Sequence, residues 1–549
     1  MITYYICLCL DIKYLENITD HDVPMGTIKR NNDMQRRAIE KALSSSFSLI
    51  HGPPGTGKTY TGLKLIFLFD KINKMWSEKG GSKKQILFCG PSNKSVDLVA
   101  KLLKKHFRDF PLDFVRLYGS SLENHDFHIP GRVYSPRAAS KDSVPDPELR
   151  AVSVHHIIRD PKKPHAFKID SYEKTFRNNT NIDAEAVKEY TKLLTKATIE
   201  EIAEHDIIFC TTAVATNKRL LEGTKSRIFQ CIIDEAGMCT EPECMATIIA
   251  TRAQQVVLIG DHKQLQPVIL NDDAAKLGLE TSLFERYADR AVQLQCQYRM
   301  HLSICEFPSK QFYNNKLRTV KCSSSEEDPP LKVWSDPEKR HVFCHVEGQE
   351  VVLPVSTDEG NEMSRSNKVE VEQVIKIFRY LVETEKILGD KKDKKRKVYT
   401  INIISQYNAQ CSAIREELRQ QGYININVNT VVASQGGQWD YVIFSLVRSL
   451  PEYRIERQPT KGWCQQNLGF ITDEHQINVA LTRAKKGLFI IGNRHLLSCD
   501  FVWRNLIKLY ASKGCVVDGK DFPRPYPRTD RKKERKVDEE GFEIVYSRR

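Results

Sequence analysis

The stretch Gly52-Pro53-Pro54-Gly55-Thr56-Gly57-Lys58-Thr59 decides the fold of this 549-residue sequence. It fits the pattern GxxxxGK followed by Ser or Thr, in which glycines let backbone N–H groups surround phosphates. The apolar run SFSLIH precedes it, and a helical pattern with Leu63, Ile66 and Phe67 follows it. In this context Lys58 can neutralise the β- and γ-phosphates, and the Thr59 hydroxyl can ligate Mg²⁺. The stretch therefore predicts a nucleoside-triphosphate site between a strand and a helix.

Short apolar runs that end in a polar residue recur beyond this stretch. QILFCG, DIIFCT, QCIID and VVLIGD are typical of buried parallel strands separated by helices. A second block begins near residue 290, and it includes VFCHV, YVIFSLV, GLFIIGN and a helix from about Asn367 to Leu388. This alternation predicts an α/β protein with two tandem parallel-sheet domains. The predicted divisions are an uncertain N-terminal segment at 1–29, a first domain at 30–288 with an insertion at about 119–200, a second domain at 289–515, and a basic, disordered tail at 516–549.

Two acidic residues, Asp234 and Glu235, end the apolar run QCII. Asp234 is placed to hold Mg²⁺, mostly through water, and Glu235 to polarise the attacking water as a general base. Together with the glycine-rich stretch they predict a phosphate-loop NTPase. Kinases and GTPases remain open alternatives at this point.

The composition excludes other classes of protein. Apolar residues make up 40% of the chain and charged residues 28%, which is too apolar for a wholly disordered chain and too charged for a multi-span membrane protein. The opening run MITYYICLCL is too short for a spanning helix, and fifteen scattered cysteines favour reduced thiols. We therefore expect an intracellular protein, cytoplasmic and/or nuclear, without a membrane partner.

The net charge of +13 suggests a polyanionic partner without locating its site. Two basic runs, DKKDKKRK at 390–397 and RPYPRTDRKKERK at 524–536, carry nine of these thirteen charges. The rest of the chain is nearly balanced. We therefore expect any grip on nucleic acid to depend on placed hydroxyls, amides and a few arginines, with the basic runs adding salt-sensitive attraction.

Four further motifs identify a resemblance. GDHKQLQP begins at Gly260, QYRMH at Gln297, SQGGQ at Ser434, and NVALTRA at Asn478. In this order they resemble a superfamily 1 helicase of the nonsense-decay (up-frameshift) group, whose members translocate 5′ to 3′. The resemblance covers roughly residues 30–500 and implies two RecA-like domains, with the insertion in the first. Several runs, DEAGMCTEPE among them, resemble a helicase module that sits within a much larger protein of this group.

The resemblance implies roles for residues around an ATP and Mg²⁺ site. Gln35 resembles the glutamine that reads adenine, Tyr298 would stack on the adenine face, and Gln264 would sit near the γ-phosphate. Arg299 and Arg483 resemble two arginine fingers, whose planar forks suit charge spread over phosphate oxygens. For each arginine a salt bridge at the domain interface is the structural alternative. Gln438 stands where the family usually has a ribose-binding Glu, so we expect weaker ATP binding.

Small polar residues at strand ends resemble the family's nucleic-acid-facing motifs. Hydroxyls and exposed amides at such turns suit phosphate and sugar contacts, which carry no sequence code. Ordinary βα turns with helix caps are the alternative for each. The candidate set is Pro91, Ser92, Asn93, Thr211, Thr212, Tyr407 and Thr430. Asn367 and Glu370 also match a family position, but their spacing favours a capping box at a helix start.

The expected function is an ATP-dependent nucleic-acid helicase or translocase acting on single strands, with RNA favoured over DNA. The alternative is an ATP-gated RNA-binding or RNP-remodelling module with little unwinding, in a larger assembly such as a transcriptional coactivator. A kinase is nearly excluded, because it would not need Gln264, Arg299 and Arg483 across two blocks.

Overall fold

The computed structural model describes residues 30–108, 112–131, 144–178, 182–320, 330–357, 360–389 and 397–524. The N-terminal segment 1–29, most of the basic run at 390–397, and the second basic run beyond residue 524 lie outside these ranges. Their expected properties stay predictions.

The first sheet is built from seven parallel strands in the order β3-β4-β2-β5-β6-β1-β7. Its strands are mostly apolar and almost entirely buried, as expected for a parallel sheet with helices on both faces. The strands are β1 Phe47–His51, β2 Gln85–Gly90, β3 Phe114–Arg116, β4 Ile207–Thr211, β5 Ile228–Ile233, β6 Gln255–Gly260 and β7 Val292–Gln293. The connecting helices include α1 Asp33–Ser44, α2 Lys58–Glu78, α3 Asn93–His106, α8 Thr212–Ala215, α9 Lys218–Thr224, α10 Glu241–Thr251, α11 Asp272–Ala274 and α12 Leu283–Arg286.

The predicted insertion lies between β3 and β4 and is mainly helical. Its core side chains, among them Ile169, Tyr190 and Ile202, pack with Leu87 and Cys89 of the first sheet. It is therefore fused to the first domain through a shared core. Its helices are α4 Ser120–Asp126, α5 Val154–Ile157, α6 Ala166–Asn178 and α7 Ala184–Glu204.

The second sheet has six parallel strands in the order β14-β13-β15-β16-β10-β17. A short parallel pair of strands, β8 Cys296–Gln297 and β9 Arg318–Thr319, lies outside this sheet. An antiparallel hairpin of β11 Glu350–Thr357 and β12 Gly360–Asn367 also lies outside it. The sheet strands are β10 His341–His345, β13 Ile401–Ser405, β14 Asn427–Thr430, β15 Trp439–Ser445, β16 Ala484–Gly492 and β17 Val516–Asp518. The helices are α13 Leu302–Phe312, α14 Lys368–Arg379, α15 Asn408–Gln420, α16 Lys461–Leu468, α17 Glu474–Leu481, α18 Arg494–Leu497 and α19 Phe501–Ser512.

Two parallel sheets confirm the predicted α/β class and the two RecA-like domains, and strand pairing in each sheet extends a few residues past a predicted boundary. β7 pairs with β1 through Ile50 and Val292, so the first sheet continues past residue 288. β17 pairs with β10, and Phe522 is buried in the second core, so the stretch 516–524 is ordered domain rather than tail. Strands of two or three residues are too short to show a periodic pattern, and tertiary pairing alone defines them.

The start of α14 corrects the predicted capping box. Asn367 accepts from the Glu370 N–H at 3.3 Å, as a cap does. In a capping box the Glu370 carboxylate would accept from the Asn367 N–H, but that N–H donates to Gln410 Oε1. The carboxylate accepts instead from Ser445 Oγ at 2.7 Å and Val447 N at 2.9 Å. The helix also ends at Arg379, and a π-helical turn covers Tyr380–Thr384 before the predicted end at Leu388.

Two further observations concern the described residues. None of their helices combines the length and apolar character needed to cross a membrane. Their cysteines are free thiols, and most are buried.

A buried ion pair should stabilise the edge of the first sheet. Arg116 is fully buried, and it donates to Asp97 at 2.6 Å and to Asn93 at 2.7 Å. Arg116→Leu leaves the buried Asp97 carboxylate uncompensated, so the unfolding free energy should fall by about 3–5 kcal/mol. Chemical denaturation would measure this. Arg419→Ala, which breaks an exposed pair with Glu416, should leave the midpoint unchanged; equal midpoints for all three proteins would contradict the prediction.

Candidate active site

The glycine-rich stretch forms a closed loop between β1 and α2. Thr56 N and Thr56 Oγ1 both donate to Pro53 O, at 3.2 and 2.7 Å. Gly55 and Gly57 have φ of 76° and 88°, which glycine adopts without steric cost. Lys58 Nζ donates to Gly52 O at 2.8 Å, and a Cβ on Gly52 would lie 2.0 Å from Lys58 Cγ. Glycine at position 52 therefore lets the lysine fold back across the loop.

The start of α2 suits an anion. Its N-cap is Gly57, which has no side chain to accept from the first N–H groups of the helix. Those donors and the positive end of the helix dipole face the loop. A phosphate would satisfy them.

The acidic pair lies where β5 ends. Asp234 N donates to Cys89 O at 2.8 Å, and the Asp234 carboxylate accepts from Glu235 N at 2.9 Å. Burial, followed by the nearby Glu235 charge, raises the pKa of Asp234 to about 7. Glu235 itself has φ of 51°, a strained conformation for a non-glycine residue that is common at functional sites.

Arg483 crosses from the second domain to the first. Its side chain is buried, and Nε donates to Val479 O at 2.9 Å while Nη1 donates to Gly437 O at 3.2 Å. Nη2 then donates to Gln264 Oε1 at 3.0 Å, which joins the two domains. Burial, followed by the charge of Arg299, lowers the pKa of Arg483 to about 9, so it stays cationic at neutral pH.

Gln264 is held in turn by Asp261. Gln264 Nε2 donates to Asp261 Oδ2 at 2.7 Å, and Tyr313 OH donates to the same oxygen at 2.8 Å. His51 Nε2 contacts the other oxygen, Oδ1, at 2.9 Å. Burial would raise the pKa of Asp261, but these hydrogen bonds and the His51 and Lys58 charges hold it well below its usual range. Asp261 is therefore an anion, and both of its carboxylate oxygens have hydrogen-bond partners.

The connection continues into the second domain through Asn478. Its Nδ2 donates to Tyr313 OH at 2.7 Å and to Lys263 O at 2.6 Å. Since His51 directly precedes the phosphate loop, a hydrogen-bonded chain runs from that loop to α17. Sequence reasoning missed His51, Asp261 and Tyr313 as site residues. Tyr313 lies in no motif quoted above, so only its position in the fold reveals it.

Arg299 packs against the phosphate loop, and its guanidinium group points to the second domain. A Cβ on Gly55 would lie 2.6 Å from Arg299 Cβ, so glycine permits the close approach. Arg299 Nη1 donates to Thr482 O and Nε donates to Gln438 Oε1, both at 3.1 Å. Burial lowers the pKa of Arg299 to about 10, which leaves it charged.

Gln35 and Tyr298 lie on either side of Asn32. Asn32 caps α1, and Gln35 Oε1 accepts from Asn32 N at 3.2 Å while Gln35 Nε2 donates to Thr56 O at 3.0 Å. Asn32 Nδ2 donates to Tyr298 OH at 3.0 Å, and Tyr298 N donates to Gly55 O at 2.9 Å. The Tyr298 ring is 41% exposed, which leaves a face available for stacking.

Most candidate nucleic-acid contacts in the first domain have structural roles. Ser92 Oγ caps α3 by accepting from Ser95 N at 3.2 Å, and Asn93 Oδ1 accepts from Arg116 at 2.7 Å. Thr212 is buried beside Thr211 and donates to Glu243 at 2.5 Å. Of this group Ser92 alone is exposed, and Pro91 before it is half-buried.

Beside Tyr407 of the second domain, the exposed aromatic ring belongs to a residue that the sequence did not single out. Tyr407 is only 4% exposed, and its ring lies 4.7 Å from that of Phe470, which is 48% exposed. Thr430 Oγ1 accepts from Ala433 N at 3.2 Å, as a turn cap does. Phe470, rather than Tyr407, therefore offers a stacking face at this edge.

Comparison with known proteins agrees with this geometry. Residues 30–272 and 279–495 match two families, each described as an AAA domain. The chain is 38% identical over 520 residues to 3′-5′ exoribonuclease HELZ2 of Mus musculus, covering 92% of this chain and 17% of that protein. It is 32% identical over 500 residues to ATP-dependent helicase NAM7 of Saccharomyces cerevisiae, covering 89% of this chain and 44% of that protein.

A third relative extends the comparison to plants. The Regulator of nonsense transcripts 1 homolog of Arabidopsis thaliana is 31% identical over 498 residues, covering 89% of this chain and 34% of that protein. The chain thus spans less than half the length of each of these three relatives. The ordered motifs, the two parallel sheets and these matches agree, and the chain belongs to the superfamily 1 helicases of the nonsense-decay (up-frameshift) group.

Proposed function

We propose that this chain is an ATP-driven motor that moves 5′ to 3′ along single-stranded RNA and hydrolyses ATP between its two domains. The observation that carries the proposal is the bond from Arg483 of the second domain to Gln264 of the first, at 3.0 Å. A kinase or a GTPase with one such domain needs no buried arginine spanning two sheets. A motor does, because nucleotide state must alter the contact between its domains.

The phosphate loop fits a triphosphate. Gly52, Gly55 and Gly57 leave room for backbone approach, and the first N–H groups of α2 have no capping side chain. Lys58 would exchange Gly52 O for phosphate oxygens. Gln35 and Tyr298 border the loop on one side, where Gln35 would hydrogen-bond adenine and Tyr298 would stack on it.

The acidic pair fits a magnesium site. Thr59 and Asp234 offer the hard oxygen ligands that Mg²⁺ prefers, and the bound ion would neutralise charge on the phosphates. Glu235 would orient a water molecule and accept its proton. Burial raises the pKa of Asp234, and a bound cation would favour its charged form.

Arg299 and Arg483 would act on the transferred phosphoryl group. Both bond to protein oxygens here: Arg483 to Gln264, and Arg299 to Gln438 and Thr482. A γ-phosphate offers these guanidinium groups stronger, charge-assisted acceptors. Binding would draw the domains together, and loss of the phosphate would return each arginine to its protein partner. The two domains would hold the RNA strand in turn as ATP binds and its phosphate is released.

RNA is the proposed substrate because of the names of the relatives, and the structure suggests how a single strand would be held. The curated relatives include proteins named as regulators of nonsense transcripts and an exoribonuclease. The chain would grip phosphates and sugars through backbone amides and Ser92, with Phe470 as a base-stacking face. Such a protein would work in the cytoplasm and/or nucleus, within a larger RNP or coactivator assembly.

Loss of either of two cationic groups in the cleft, Arg483 or Lys58, should disable the motor. Arg483→Ala should lower RNA-stimulated ATPase turnover by about 10³-fold, and Lys58→Ala by about 10²–10³-fold. Phosphate release with matched single-stranded RNA and DNA would measure both effects and the preference for RNA. Arg419→Ala, on the exposed face of α15, is the matched control and should behave as wild type. Full activity of either cleft variant would refute the proposed cleft chemistry.

Strand displacement should accompany hydrolysis. The wild-type chain should separate a duplex with a 5′ single-stranded overhang and leave one with a 3′ overhang intact, because it translocates 5′ to 3′. Arg483→Ala should separate neither. Hydrolysis without strand displacement would contradict the proposed motor and support an ATP-gated remodelling module instead.

The pKa of Asp234 predicts how stability depends on pH. Its folded pKa of about 7 exceeds the ordinary 3.8, so the folded state binds this proton more tightly than the unfolded state. Without Mg²⁺ and nucleotide, the unfolding free energy should therefore fall by about 1.4 kcal/mol from pH 6 to pH 8. Asp234→Asn lacks this titration and is the control. Denaturation curves of the two proteins that stay parallel across this range would contradict the prediction.

A further inference from the structure

Three potential metal ligands converge in the insertion, apart from the ATP cleft. Asp126 ends α4, and His155 and His156 are consecutive residues of α5. Asp126 Oδ2 lies 3.1 Å from His155 Nε2 and 2.9 Å from His156 Nε2. The three ligand atoms all lie within 4.8 Å of one another.

These separations are close to those of a metal-binding site. Ligand atoms about 2.1 Å from a tetrahedral Zn²⁺ lie about 3.4 Å apart. The observed pairs need to widen by only a few tenths of an ångström, which is a small side-chain movement. Two imidazoles and one carboxylate are a ligand set that suits Zn²⁺ and leaves a fourth position for water.

The surroundings hold these ligands in place. His125 Nδ1 contacts the other Asp126 oxygen, Oδ1, at 3.3 Å. The Phe127 ring packs edge-on against both His155 and His156, with centroids 6.0 and 5.0 Å away. Arg159 stacks on Phe127 at 3.7 Å and also donates to His155 O, so a cation lies beside this cluster too, but Glu173 pairs with its charge at 2.8 Å. Such supporting contacts orient ligands and limit water access.

His155 adds a second observation. It is 3% exposed, and its Nδ1 has no hydrogen-bond partner among the described residues. A cavity of about 70 Å³ borders the same residue, which is room for ordered water beside the imidazole. A metal-bound histidine usually donates its second ring nitrogen to such a partner.

The other two such clusters of the described residues are less suitable. One contains His51 and Asp261, which already hold Gln264 and Tyr313 at the ATP cleft. The other, at His345, Glu347 and His495, has a cation beside it. Arg494 N lies 3.2 Å from His345 Nδ1, and Arg494 Nε lies 3.4 Å from His495 Nε2. The Arg494 charge opposes a metal ion there.

We propose that Asp126, His155 and His156 bind one Zn²⁺-class divalent ion, which fastens α4 to α5 and stabilises the insertion. The site closes the chain between residues 126 and 155, and a cross-link across a long loop is an effective stabiliser. The proposal is independent of the proposed motor function, because no residue of the ATP cleft takes part.

Metal content and metal binding test this site in the full chain. Protein purified without chelator should carry one Zn²⁺ that His156→Gln lacks, as measured by elemental analysis. After metal removal, Co²⁺ should give the visible absorption of a low-coordinate site in the wild type. His156→Gln keeps an N–H donor for Asp126 but offers a poor metal ligand, so its Co²⁺ affinity should fall by at least about 100-fold.

Stability supplies an independent measurement. Zn²⁺ should raise the melting temperature of the metal-free wild type by about 5 °C and that of His156→Gln by nothing. The controls are His128→Ala, which removes an exposed neighbouring histidine, and His495→Ala, which alters the cluster beside Arg494. Both should match the wild type. Equal Zn²⁺ content, Co²⁺ binding and melting shift in wild type and His156→Gln would refute the site and leave a hydrogen-bonded Asp–His–His group.

Discussion

The buried charge of Asp261 is the constraint on which the cleft depends. A carboxylate in the interior is stable only when hydrogen bonds replace its lost hydration. Here His51, Gln264 and Tyr313 supply them at 2.7–2.9 Å. These residues come from β1, from the loop after β6 and from the segment after α13. A single carboxylate therefore holds together β1, which leads into the phosphate loop, and the Gln264 loop after β6, and through Tyr313 and Asn478 it also holds the second domain.

This arrangement makes the contact between the domains polar and exchangeable. Arg483 and Asn478 of the second domain donate to oxygens of the first, namely Gln264 Oε1 and Lys263 O. Arg299, which lies against the phosphate loop, donates in the other direction, to Gln438 Oε1 of the second domain. Apolar packing supports them, since Leu265 of the first-domain loop lies in the core of the second domain. In the proposed function the apolar contact keeps the domains together, while the arginine hydrogen bonds are the part that a nucleotide can replace.

The elements that were predictable from sequence share one property, which is that local pattern determines them. The five apolar strands of the first domain and the glycine-rich loop follow from runs of neighbouring residues. β7 has two residues. In β11 the consecutive apolar residues Val351, Val352 and Leu353 are all exposed, so their pattern is that of neither a buried strand nor a half-buried one. Thr212 matched a nucleic-acid motif locally, yet Glu243 from another helix occupies its hydroxyl. Distant partners of this kind decide side-chain roles, and sequence order does not reveal them.

The Asn367–Glu370 pair shows how a local motif can have a distant role. Asn367 Nδ2 donates to Val447 O at 3.0 Å, and Glu370 accepts from Val447 N at 2.9 Å. Val447 has φ of 70°, which is strained for a β-branched residue, so both of its backbone groups are held against relaxation. The next residue, Arg448, pairs with Glu350 of the hairpin at 3.0 Å. The start of α14 thus holds the segment that follows β15, and Arg448 connects that segment to the hairpin. A pair that the sequence predicts as a helix cap therefore also fixes the backbone at the carboxyl end of β15.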